Sequence, residues 1–265
     1  MAAAQPQQPA DPWSPAQYNR FKAERAQPFY DLAALLQPLV NKRVVDLGCG
    51  TGELTRELHL KLAARETLGL DNSTAMLAAS KDFPAPGLRF EAGDIAKFEA
   101  RGAWDLIFSN AAIQWLDSHE GLMRRFFDAL APGGQLALQF PANLDHPSHT
   151  LAAEVAQAEP YRTWLGGWSR RSPIFSPERY AEELFAAGFA EQHVRLQVYG
   201  HRLASADEVV EWVSGTLLTP FKQKLSAEQY AQFLAEYRAR LNAQLGPARP
   251  YFYSFKRILL WAQKA

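Results

Sequence analysis

The feature that most constrains the fold is the stretch KRVVDLGCGTGELTREL, residues 42–58, where an apolar run meets a glycine-rich turn and then a helical pattern. The apolar run ends at Asp46, and three glycines follow at alternate positions, namely Gly48, Gly50 and Gly52. Glycine allows a tight turn and a close approach of a ligand to the main chain, and the first turn of a helix presents free amide donors. The stretch therefore predicts a buried strand that leads through a ligand-binding loop into a helix.

Strand and helix patterns alternate along the chain after this stretch, with short loops between them. The predicted strands are RVVDLG, ETLGLD, LRFEAGD, WDLIFSN, QLALQF, EQHVRLQVYGHRL and YFYSFKRILLWAQ. Such alternation is typical of an α/β fold in which helices cover both faces of a mostly parallel sheet. We therefore expect a seven-stranded, mostly parallel sheet. One of its helices, DSHEGLMRRFFDALA, is expected to end at Pro132-Gly133-Gly134.

The remaining segments predict how the chain is organised around this sheet. Residues 1–12, rich in Ala, Pro and Gln, indicate a disordered tail, and residues 13–265 a single domain. The expected parts of the domain are N-terminal helices over 13–40, a core over 42–140, and two cap insertions over 141–174 and 205–248. We expect Pro28 to end one N-terminal helix and start the next. The first insertion has no regular pattern, the second is helical, and together they predict a cap over the carboxyl ends of the strands.

Composition narrows the class of protein and of partner. The 28 Lys and Arg residues balance 28 Asp and Glu residues, which argues against a broad electrostatic surface for nucleic acid or an anionic membrane. The single cysteine, Cys49, excludes an intramolecular disulfide and fits a reducing compartment. No apolar run has the length of a membrane span, and the N-terminus lacks the pattern of a signal peptide. We therefore predict a cytoplasmic protein with neither a nucleic-acid nor a membrane partner.

The glycine loop does not match the dinucleotide fingerprint G-x-G-x-x-G, because the third glycine would fall at Glu53 or Thr55. This spacing argues against a nicotinamide dehydrogenase. The pattern D-x-G-x-G-x-G, residues 46–52, resembles instead the first motif of the class I S-adenosylmethionine-dependent methyltransferases. Further landmarks of that family follow in order, namely Asp71 at the end of the second strand, Gly93-Asp94, DLIFSNAAIQWL and LAPGGQLAL. The resemblance implies a Rossmann-like fold, S-adenosyl-L-methionine as the cofactor and methyl transfer as the activity.

The resemblance also implies which residues contact the cofactor. In the family the acid that ends the second strand binds the ribose hydroxyls, here Asp71, and the stretch around Asp94 binds adenine. A first helix over the cleft would bring Tyr18 onto the methionine part and Arg25 onto its carboxylate. The full implied set is Asp46, Gly48, Cys49, Gly50, Gly52, Asp71, Asn72, Met76, Asp94, Ile95, Asn110, Tyr18 and Arg25. The alternatives are an ordinary turn for the glycines, a helix cap for Asp71, a turn residue at Asp94, core packing for Met76 and a solvated Arg25.

A narrower resemblance, to the trans-aconitate methyltransferases, extends over most of the chain. It rests on WSPAQYNRFKAERAQP, DLGCGTGELT, GLDNSTAML, DLIFSNAAIQWLDSHEGL and QFPANLDHPSHTLAAEVA, and more faintly on YAEELFAAGF and VVEWVSGTLLTPF. These enzymes are carboxyl O-methyltransferases, so the resemblance implies methylation of a small polycarboxylic acid by in-line displacement. The alternatives are another acceptor, such as a carrier-protein-bound malonyl group or a different metabolite, and a non-catalytic binding protein of the same fold. The oligomeric state stays open.

A carboxylate acceptor is already ionised at neutral pH, so the reaction requires positioning and needs neither a general base nor a metal. Trp115 and Gln114 follow the fourth strand, and we expect their N–H groups to orient the reacting carboxylate; the alternatives are core packing and loop capping. Arginine suits the other carboxylates. The predicted substrate-binding set is Tyr18, Gln114, Trp115, His146, Arg170 and Arg171, with Arg195, Arg202 and Arg257 as further candidates. A zinc site formed by Asp145, His146 and His149 is a weaker alternative.

Overall fold

The computed structural model describes residues 22–265, and the side chains of its first helix from Ala26 onward. The tail predicted over residues 1–12, Tyr18 and the side chain of Arg25 therefore lie outside the described residues. The strands are β1 (Arg43–Leu47), β2 (Glu66–Asp71), β3 (Leu88–Ala92), β4 (Trp104–Asn110), β5 (Leu130–Pro141), β6 (Glu191–Leu203) and β7 (Tyr251–Gln263). The helices are α1 (Lys22–Ala33), α2 (Glu53–Lys61), α3 (Thr74–Ser80), α4 (Leu122–Ala129), α5 (Pro147–Gln157), α6 (Tyr161–Trp164), α7 (Pro177–Ala187), α8 (Asp207–Ser214), α9 (Thr219–Lys224) and α10 (Ala227–Leu245).

The seven strands form one sheet in the order β3-β2-β1-β4-β5-β7-β6. Strands β1 to β5 are parallel, and β7 runs antiparallel between β5 and β6. The chain changes direction across the sheet between β1 and β4, and an open α/β sheet has its ligand-binding crevice at such a switch point, outside the carboxyl ends of the strands. The predicted seven-stranded, mostly parallel sheet is confirmed.

Helices cover both faces of the sheet, because alternate side chains of each strand point to opposite faces. On one face Phe29 of α1 and Leu58 of α2 pack with Val44 of β1 in one buried cluster. On the other face Phe126 of α4 packs in a second cluster with Val45, the next residue of β1. Full burial of an apolar side chain of this size contributes about 1.5–3 kcal/mol, so these two clusters hold the layers together.

Helices α5, α6 and α8 to α10 form a cap with a hydrophobic core of its own. Its buried residues include Val155 of α5, Phe221 of α9 and Phe233 of α10, which pack with Tyr253 of β7. The two segments predicted to interrupt the alternation, which are far apart in sequence, therefore meet in one cluster. Among the described residues no helix combines the length and the apolar character needed to cross a membrane.

Pro28 lies inside α1 and not between two helices, so the predicted break is wrong. A proline inside a helix leaves one carbonyl without its amide partner and costs about 3 kcal/mol relative to alanine. Here Pro28 is buried, and the side chains of Phe29 and Leu32 are only 2% and 0% exposed. The apolar contacts of this helix face with the sheet offset the cost of the proline and keep the helix continuous.

The prediction that residues 141–174 are irregular is also wrong, because α5 and α6 fall within them. The side chain of His146 caps α5 by accepting a hydrogen bond from the Ser148 amide, and Pro147 occupies the first turn of the helix. Leu151 then belongs to the cap core. The helical period is weak in this stretch because alanines occupy several of the positions that face the core.

The connection from α4 to β5 also differs from the prediction. Helix α4 ends at Ala129, and β5 begins directly at Leu130, so Pro132-Gly133-Gly134 lies inside the strand and does not end the helix. The register between β4 and β5 shifts at Trp104, which accommodates these residues as an irregularity in the ladder.

Candidate active site

Two cavities meet at the carboxyl ends of the strands, beside the switch point between β1 and β4. Their volumes are about 410 Å³ and about 490 Å³. Ala111 and Trp115, from the turn that follows β4, line both cavities. A reaction between a ligand in one cavity and a ligand in the other would therefore take place beside this turn.

The first cavity is acidic. Its acidic lining residues are Asp46, Glu53, Asp71, Asp94 and Asp117, and none of the described residues that line it is Lys, Arg or His. We call it the acidic cavity. Carboxylates around a concave surface raise the local concentration of cations, so this cavity suits a positively charged ligand.

The glycine loop between β1 and α2 forms one wall of the acidic cavity. A Cβ atom on Gly48 would lie 2.1 Å from Ala112 Cβ, and one on Gly52 would lie 2.6 Å from the Phe90 ring, so neither position has room for a side chain. A Cβ atom on Gly50 would meet nothing within 4 Å. All three glycines have positive φ angles, which are +82° at Gly48, +57° at Gly50 and +79° at Gly52. Two of the glycines therefore allow close packing, and the third leaves space for a ligand.

Asp71 ties the glycine loop to the end of β2. Its Oδ2 accepts a hydrogen bond of 2.8 Å from the Gly50 amide, and its Oδ1 accepts one of 2.8 Å from the Ser73 amide. A carboxylate accepts hydrogen bonds at both of its oxygens, so its chemistry suits two neighbouring hydroxyl groups of a ligand. Ser73, and not Asp71 or Asn72, caps α3, because the Ser73 side chain accepts from the Met76 amide.

Asp46 lies at the end of β1 with only 4% of its surface exposed. Its Oδ2 accepts a hydrogen bond of 2.6 Å from the Thr55 hydroxyl, whereas its buried Oδ1 has no hydrogen-bond partner among the described residues. Burial, with the charge of Asp71, raises the pKa of Asp46 to about 7. Burial also raises the pKa of the neighbouring Cys49 thiol, which therefore lines the cavity in its neutral form.

The acidic cavity brings together most of the residues predicted to contact a cofactor. Those that line it are Asp46, Gly48, Cys49, Gly50, Asp71, Asn72, Met76, Asp94, Ile95 and Asn110. Gly52 packs beneath the loop instead, and Tyr18 and the side chain of Arg25 are not among the described residues. The prediction omitted Ala26 and Phe29 of α1, together with Thr219, Pro220 and Gln223 of α9. Residues from α9 are far from the glycine loop in sequence, and no spacing rule could have assigned them to it.

The second cavity is basic. Arg170 and Arg257 line it, and none of the described residues that line it is Asp or Glu. We call it the basic cavity. Its other polar lining residues are Gln114, Asn143, His149, Thr150, Ser172 and Thr216. This combination of two cations with neutral donors suits an anionic ligand.

Arg170 reaches the basic cavity from the segment between α6 and α7. Its guanidinium carbon lies 4.4 Å from the centroid of the Trp115 ring, and its Nη1 donates a hydrogen bond of 3.4 Å to the Leu217 carbonyl. Burial lowers the pKa of Arg170 to about 10, so the guanidinium stays charged at neutral pH. No carboxylate of the described residues forms an ion pair with Arg170. The stacked ring therefore fixes the direction of a cation that is left to bind an anion.

Arg257 enters the basic cavity from β7, and 5% of its surface is exposed. Its Nη1 donates a hydrogen bond of 2.9 Å to Gln139 Oε1, and its guanidinium lies 4.9 Å from the centroid of the Phe255 ring. His149 lines the same cavity, and its Nδ1 lies 3.0 Å from Ser148 Oγ. Burial, with the nearby His146 and Arg170, lowers the pKa of His149 to about 3, so His149 is neutral.

Several residues predicted to bind the substrate lie elsewhere. His146 caps α5 and packs on Tyr253, so His149 and not His146 lines the basic cavity. Arg171 is exposed outside the cavity, as is Arg202, and Arg195 lies on β6 away from it. Neighbouring residues of one loop point in different directions, which no sequence pattern could indicate.

Gln114 takes part in the structure of the turn that follows β4. Its Nε2 donates a hydrogen bond of 2.6 Å to the Ala111 carbonyl, so one of its amide hydrogens stabilises the turn. Its buried Oε1 has no hydrogen-bond partner among the described residues. Gln114 therefore fits the loop-capping alternative, while it still lines the basic cavity.

For the zinc alternative, Asp145 forms an ion pair with Lys256, and the described part of the chain contains no metal-binding group of three or more His, Cys, Asp or Glu side chains.

Comparison with known proteins finds relatives over nearly the whole chain. A family model described as a methyltransferase domain matches residues 18–194. A trans-aconitate 2-methyltransferase of Deinococcus radiodurans is 42% identical over 258 residues, which cover 95% of this chain and 98% of the relative. A second trans-aconitate 2-methyltransferase, of Variovorax paradoxus, is 40% identical over 256 residues, with coverage of 95% and 98%.

A solved structure shows the same fold. Phosphoethanolamine N-methyltransferase 2 of Haemonchus contortus, in complex with S-adenosyl-L-methionine, matches with a TM-score of 0.53 and 19% sequence identity. The match covers 90% of this chain and 52% of that one, so the present chain spans about half the length of that enzyme. At this level of identity the likeness concerns the fold alone.

Proposed function

The chain belongs to the S-adenosylmethionine-dependent methyltransferases, in the family that includes the trans-aconitate 2-methyltransferases, and we propose that it methylates a carboxylate of trans-aconitate or a closely similar small polycarboxylic acid. The observation that carries the proposal is the meeting of two cavities of opposite charge at one turn. The acidic cavity suits a cationic cofactor, the basic cavity suits a polyanionic acceptor, and Ala111 and Trp115 belong to both.

The residues of the acidic cavity fit S-adenosyl-L-methionine, which carries positive charges on its sulfur and its ammonium group. Asp71 would hold the ribose hydroxyls, because it lines the acidic cavity at the end of β2 and both oxygens of a carboxylate accept hydrogen bonds. Met76 and Ile95 offer apolar surfaces for the adenine ring. The buried Asp46 Oδ1, which accepts no hydrogen bond from a described residue, suits an N–H donor of the methionine part or a bridging water.

The residues of the basic cavity fit an acceptor with several carboxylates. Arg170 and Arg257 lie on its wall, and a guanidinium binds a carboxylate through two parallel hydrogen bonds. Hydrogen bonds between charged groups contribute about 1.5–3 kcal/mol each, which is enough to select a polycarboxylate over a monocarboxylate. With two carboxylates held in this way, a third can reach the turn at Ala111 and Trp115.

When bound, S-adenosyl-L-methionine supplies a methyl group on a positively charged sulfur, and an ionised carboxylate takes such a group by displacement without a proton transfer. The chain's own residues then have to position the acceptor and exclude water. Trp115 positions Arg170 by stacking under its guanidinium, and its indole N–H is a donor suited to the reacting carboxylate. Gln114 holds the turn through the Ala111 carbonyl. We also propose that the reaction takes place in the cytoplasm, because a single cysteine fits a reducing compartment.

Product mass spectrometry tests the proposal directly. The purified protein is incubated with S-adenosyl-L-methionine and a panel of acids that contains trans-aconitate, other di- and tricarboxylates, monocarboxylates and a malonyl-loaded carrier protein. We expect trans-aconitate to gain one methyl group and monocarboxylates to gain none. If the cofactor binds but no small acid is methylated, the small-carboxylate function is wrong, and a methylated carrier protein would identify the alternative acceptor.

Arg170→Leu tests the role of the basic cavity. Loss of a charged hydrogen bond worth about 1.5–3 kcal/mol predicts an acceptor KM that rises by about tenfold or more, with the Kd of the cofactor within about twofold of wild type. Arg43→Leu is the matched control, because the Arg43 guanidinium also stacks on a tryptophan, 5.1 Å from the centroid of Trp104, but lines neither cavity. An unchanged acceptor KM in Arg170→Leu would remove Arg170 from the acceptor site.

A further inference from the structure

Three polar side chains from neighbouring strands connect the two cavities. Asn110 of β4 lies in register with Gln139 of β5, whereas Arg257 of β7 lies in register with Pro141, two residues further along β5. Side-chain hydrogen bonds join Asn110, Gln139 and Arg257 into one row. Gln139 Nε2 donates a hydrogen bond of 2.6 Å to Asn110 Oδ1, and Arg257 Nη1 donates one of 2.9 Å to Gln139 Oε1. Asn110 lines the acidic cavity and Arg257 lines the basic cavity, whereas Gln139 is fully buried between them and lines neither.

The direction of these hydrogen bonds follows from the chemistry of the side chains. A guanidinium is a donor only, so Gln139 has to present its oxygen to Arg257. The amide nitrogen of Gln139 then faces Asn110, which has to accept with its own oxygen. The Asn110 Nδ2 group is left over, and it has no hydrogen bond to a described residue. The charge of Arg257 in the basic cavity therefore determines that Asn110 offers an N–H donor to the acidic cavity.

Reversing any one amide in this row would break the whole row. A reversed Gln139 would direct its N–H groups at the Arg257 guanidinium and its oxygen at the Asn110 oxygen, which leaves buried polar groups unsatisfied. The observed arrangement is therefore the one that satisfies all of these buried groups, and a ligand that favours it at one end of the row favours it at the other end as well.

We propose that Gln139 is a positioning residue that couples the binding of the cofactor to the binding of the acceptor. On the cofactor side it holds Asn110 with its N–H toward an accepting oxygen of the cofactor. On the acceptor side it holds the Arg257 guanidinium toward a carboxylate, a step that rests on the proposed function. Because coupling between two binding sites is reciprocal, each ligand strengthens the binding of the other.

The cofactor side is tested with S-adenosylhomocysteine, whose binding does not depend on which acid is the acceptor. Gln139→Glu keeps an oxygen for Arg257 but has no N–H for Asn110. Asn110 then turns its Nδ2 toward the glutamate and its oxygen toward the acidic cavity. We expect the Kd of S-adenosylhomocysteine, measured by isothermal titration calorimetry, to rise by about fivefold or more. An unchanged Kd in Gln139→Glu overturns the inference.

The acceptor side is tested by titrating trans-aconitate into the protein with and without saturating S-adenosylhomocysteine. In the wild type we expect S-adenosylhomocysteine to tighten trans-aconitate binding by about fivefold or more, within the usual range of coupling between sites. In Gln139→Leu, which breaks both hydrogen bonds, the ratio of the two affinities should fall to about one. If Gln139→Leu does not fold, the same ratio is measured in Gln139→Glu.

Gln135→Leu is the matched control for both titrations. Gln135 lies on the same strand, is also buried, and accepts hydrogen bonds from Trp261 Nε1 and from the Gln37 amide, at 2.7 Å and 3.0 Å. It lines neither cavity, so Gln135→Leu should lower stability but keep the affinity ratio of the wild type. An equal loss of the ratio in Gln135→Leu, or no coupling in the wild type, overturns the inference. Absence of methylated trans-aconitate with the wild type would overturn the proposed acceptor, while the S-adenosylhomocysteine titration would still decide the role of Gln139.

Discussion

At the scale of single residues, the acidic cavity makes ionisation of the Asp46 carboxyl less favourable. Burial and the charge of Asp71 raise its pKa to about 7, although the hydrogen bond from Thr55 acts in the opposite direction. In the unfolded chain the same carboxyl has a pKa near 3.8. The folded protein therefore binds a proton at Asp46 more tightly than the unfolded chain does.

This difference predicts how stability depends on pH. Between about pH 4 and pH 7 the folded state keeps a proton that the unfolded state has released, so the contribution of Asp46 to stability is full below this window and is lost as pH rises through it. The slope from one group is at most about 1.4 kcal/mol per pH unit. Asp46→Asn removes the titrating group and keeps an oxygen for the Thr55 hydroxyl. From pH 5 to pH 7 we expect the free energy of unfolding of Asp46→Asn to rise relative to wild type by more than about 1 kcal/mol.

Urea unfolding of both proteins at several pH values measures this difference. The experiment uses cofactor-free protein, because a cationic ligand in the acidic cavity would favour the ionised carboxyl and lower the pKa of Asp46. Parallel pH profiles for Asp46→Asn and wild type would show that Asp46 ionises alike in the folded and unfolded chains.

At the scale of elements, a buried histidine holds the turn between β4 and α4. His119 Nε2 lies 2.8 Å from the Ile113 carbonyl, and its Nδ1 is hydrogen-bonded to the Tyr180 hydroxyl of α7. A carbonyl can only accept, so Nε2 carries the hydrogen and Nδ1 accepts from Tyr180. Burial lowers the pKa of His119, which keeps this neutral form at neutral pH. Ile113 opens the short helical turn that ends at Trp115, so His119 anchors the start of the turn that carries Trp115.

His119→Leu should therefore affect the reaction and not only the stability. The turn loses its link to α7, and we expect kcat/KM for the acceptor to fall by about tenfold or more, since small misplacements at a reacting centre are costly. His59→Leu is the matched control, because His59 is also a buried histidine with two hydrogen bonds, to Thr67 Oγ1 and the Pro86 carbonyl, at 2.8 Å and 3.0 Å. It lines neither cavity.

Steady-state methyl transfer and thermal unfolding of the two variants separate the two effects. Both variants should unfold at lower temperatures than the wild type, and only His119→Leu should lose kcat/KM. Similar kcat/KM values for the two variants would mean that His119 contributes to folding alone.

The elements that could be predicted from sequence are those whose signal is local. The central strands are apolar runs because they are buried on both faces, and the helix after β1 follows directly from the glycine loop. Helix α1 passes through Pro28, and α5 consists largely of small residues, so both depend on contacts with distant parts of the chain. Local patterns carry no information on such contacts.

The residues of the candidate site also differ in whether a local sequence signal predicts their position. Gly48 and Gly50 could be assigned to the acidic cavity because their spacing places them on one loop, and Asp71 because the methyltransferase resemblance implies an acid at the end of the second strand. For the basic cavity the sequence indicates which residue types are present but not where their side chains point. Arg170 faces the cavity and Arg171 faces solvent, although they are adjacent in the chain. Side-chain direction there depends on the Trp115 ring, which comes from another element.

At the scale of the whole molecule, the sheet and the cap have separate hydrophobic cores, and the two cavities lie between them. Helix α9 of the cap contributes Thr219 and Gln223 to the acidic cavity and Phe221 to the basic cavity. Phe221 in turn stacks on Phe233 of α10, with ring centroids 4.9 Å apart and planes inclined by 19°. The packing of the cap core therefore shapes the wall of the basic cavity. The proposal that residues 13–265 form one domain is supported by cap and sheet residues that line the same two cavities.

A pair of matched substitutions tests whether the cap serves the acceptor. Phe233→Ala removes a fully buried ring from the cap core, and Phe126→Ala removes a fully buried ring from the sheet core. Each should lower the free energy of unfolding by about 3–5 kcal/mol. Only Phe233→Ala should also raise the acceptor KM, because Phe221 loses its stacking partner and moves in the wall of the basic cavity. The acceptor KM is measured at a temperature where both variants remain folded. Equal KM values for the two variants would show that the cap core stabilises the chain without shaping the acceptor site, whereas a rise confined to Phe233→Ala would make the cap part of the acceptor site.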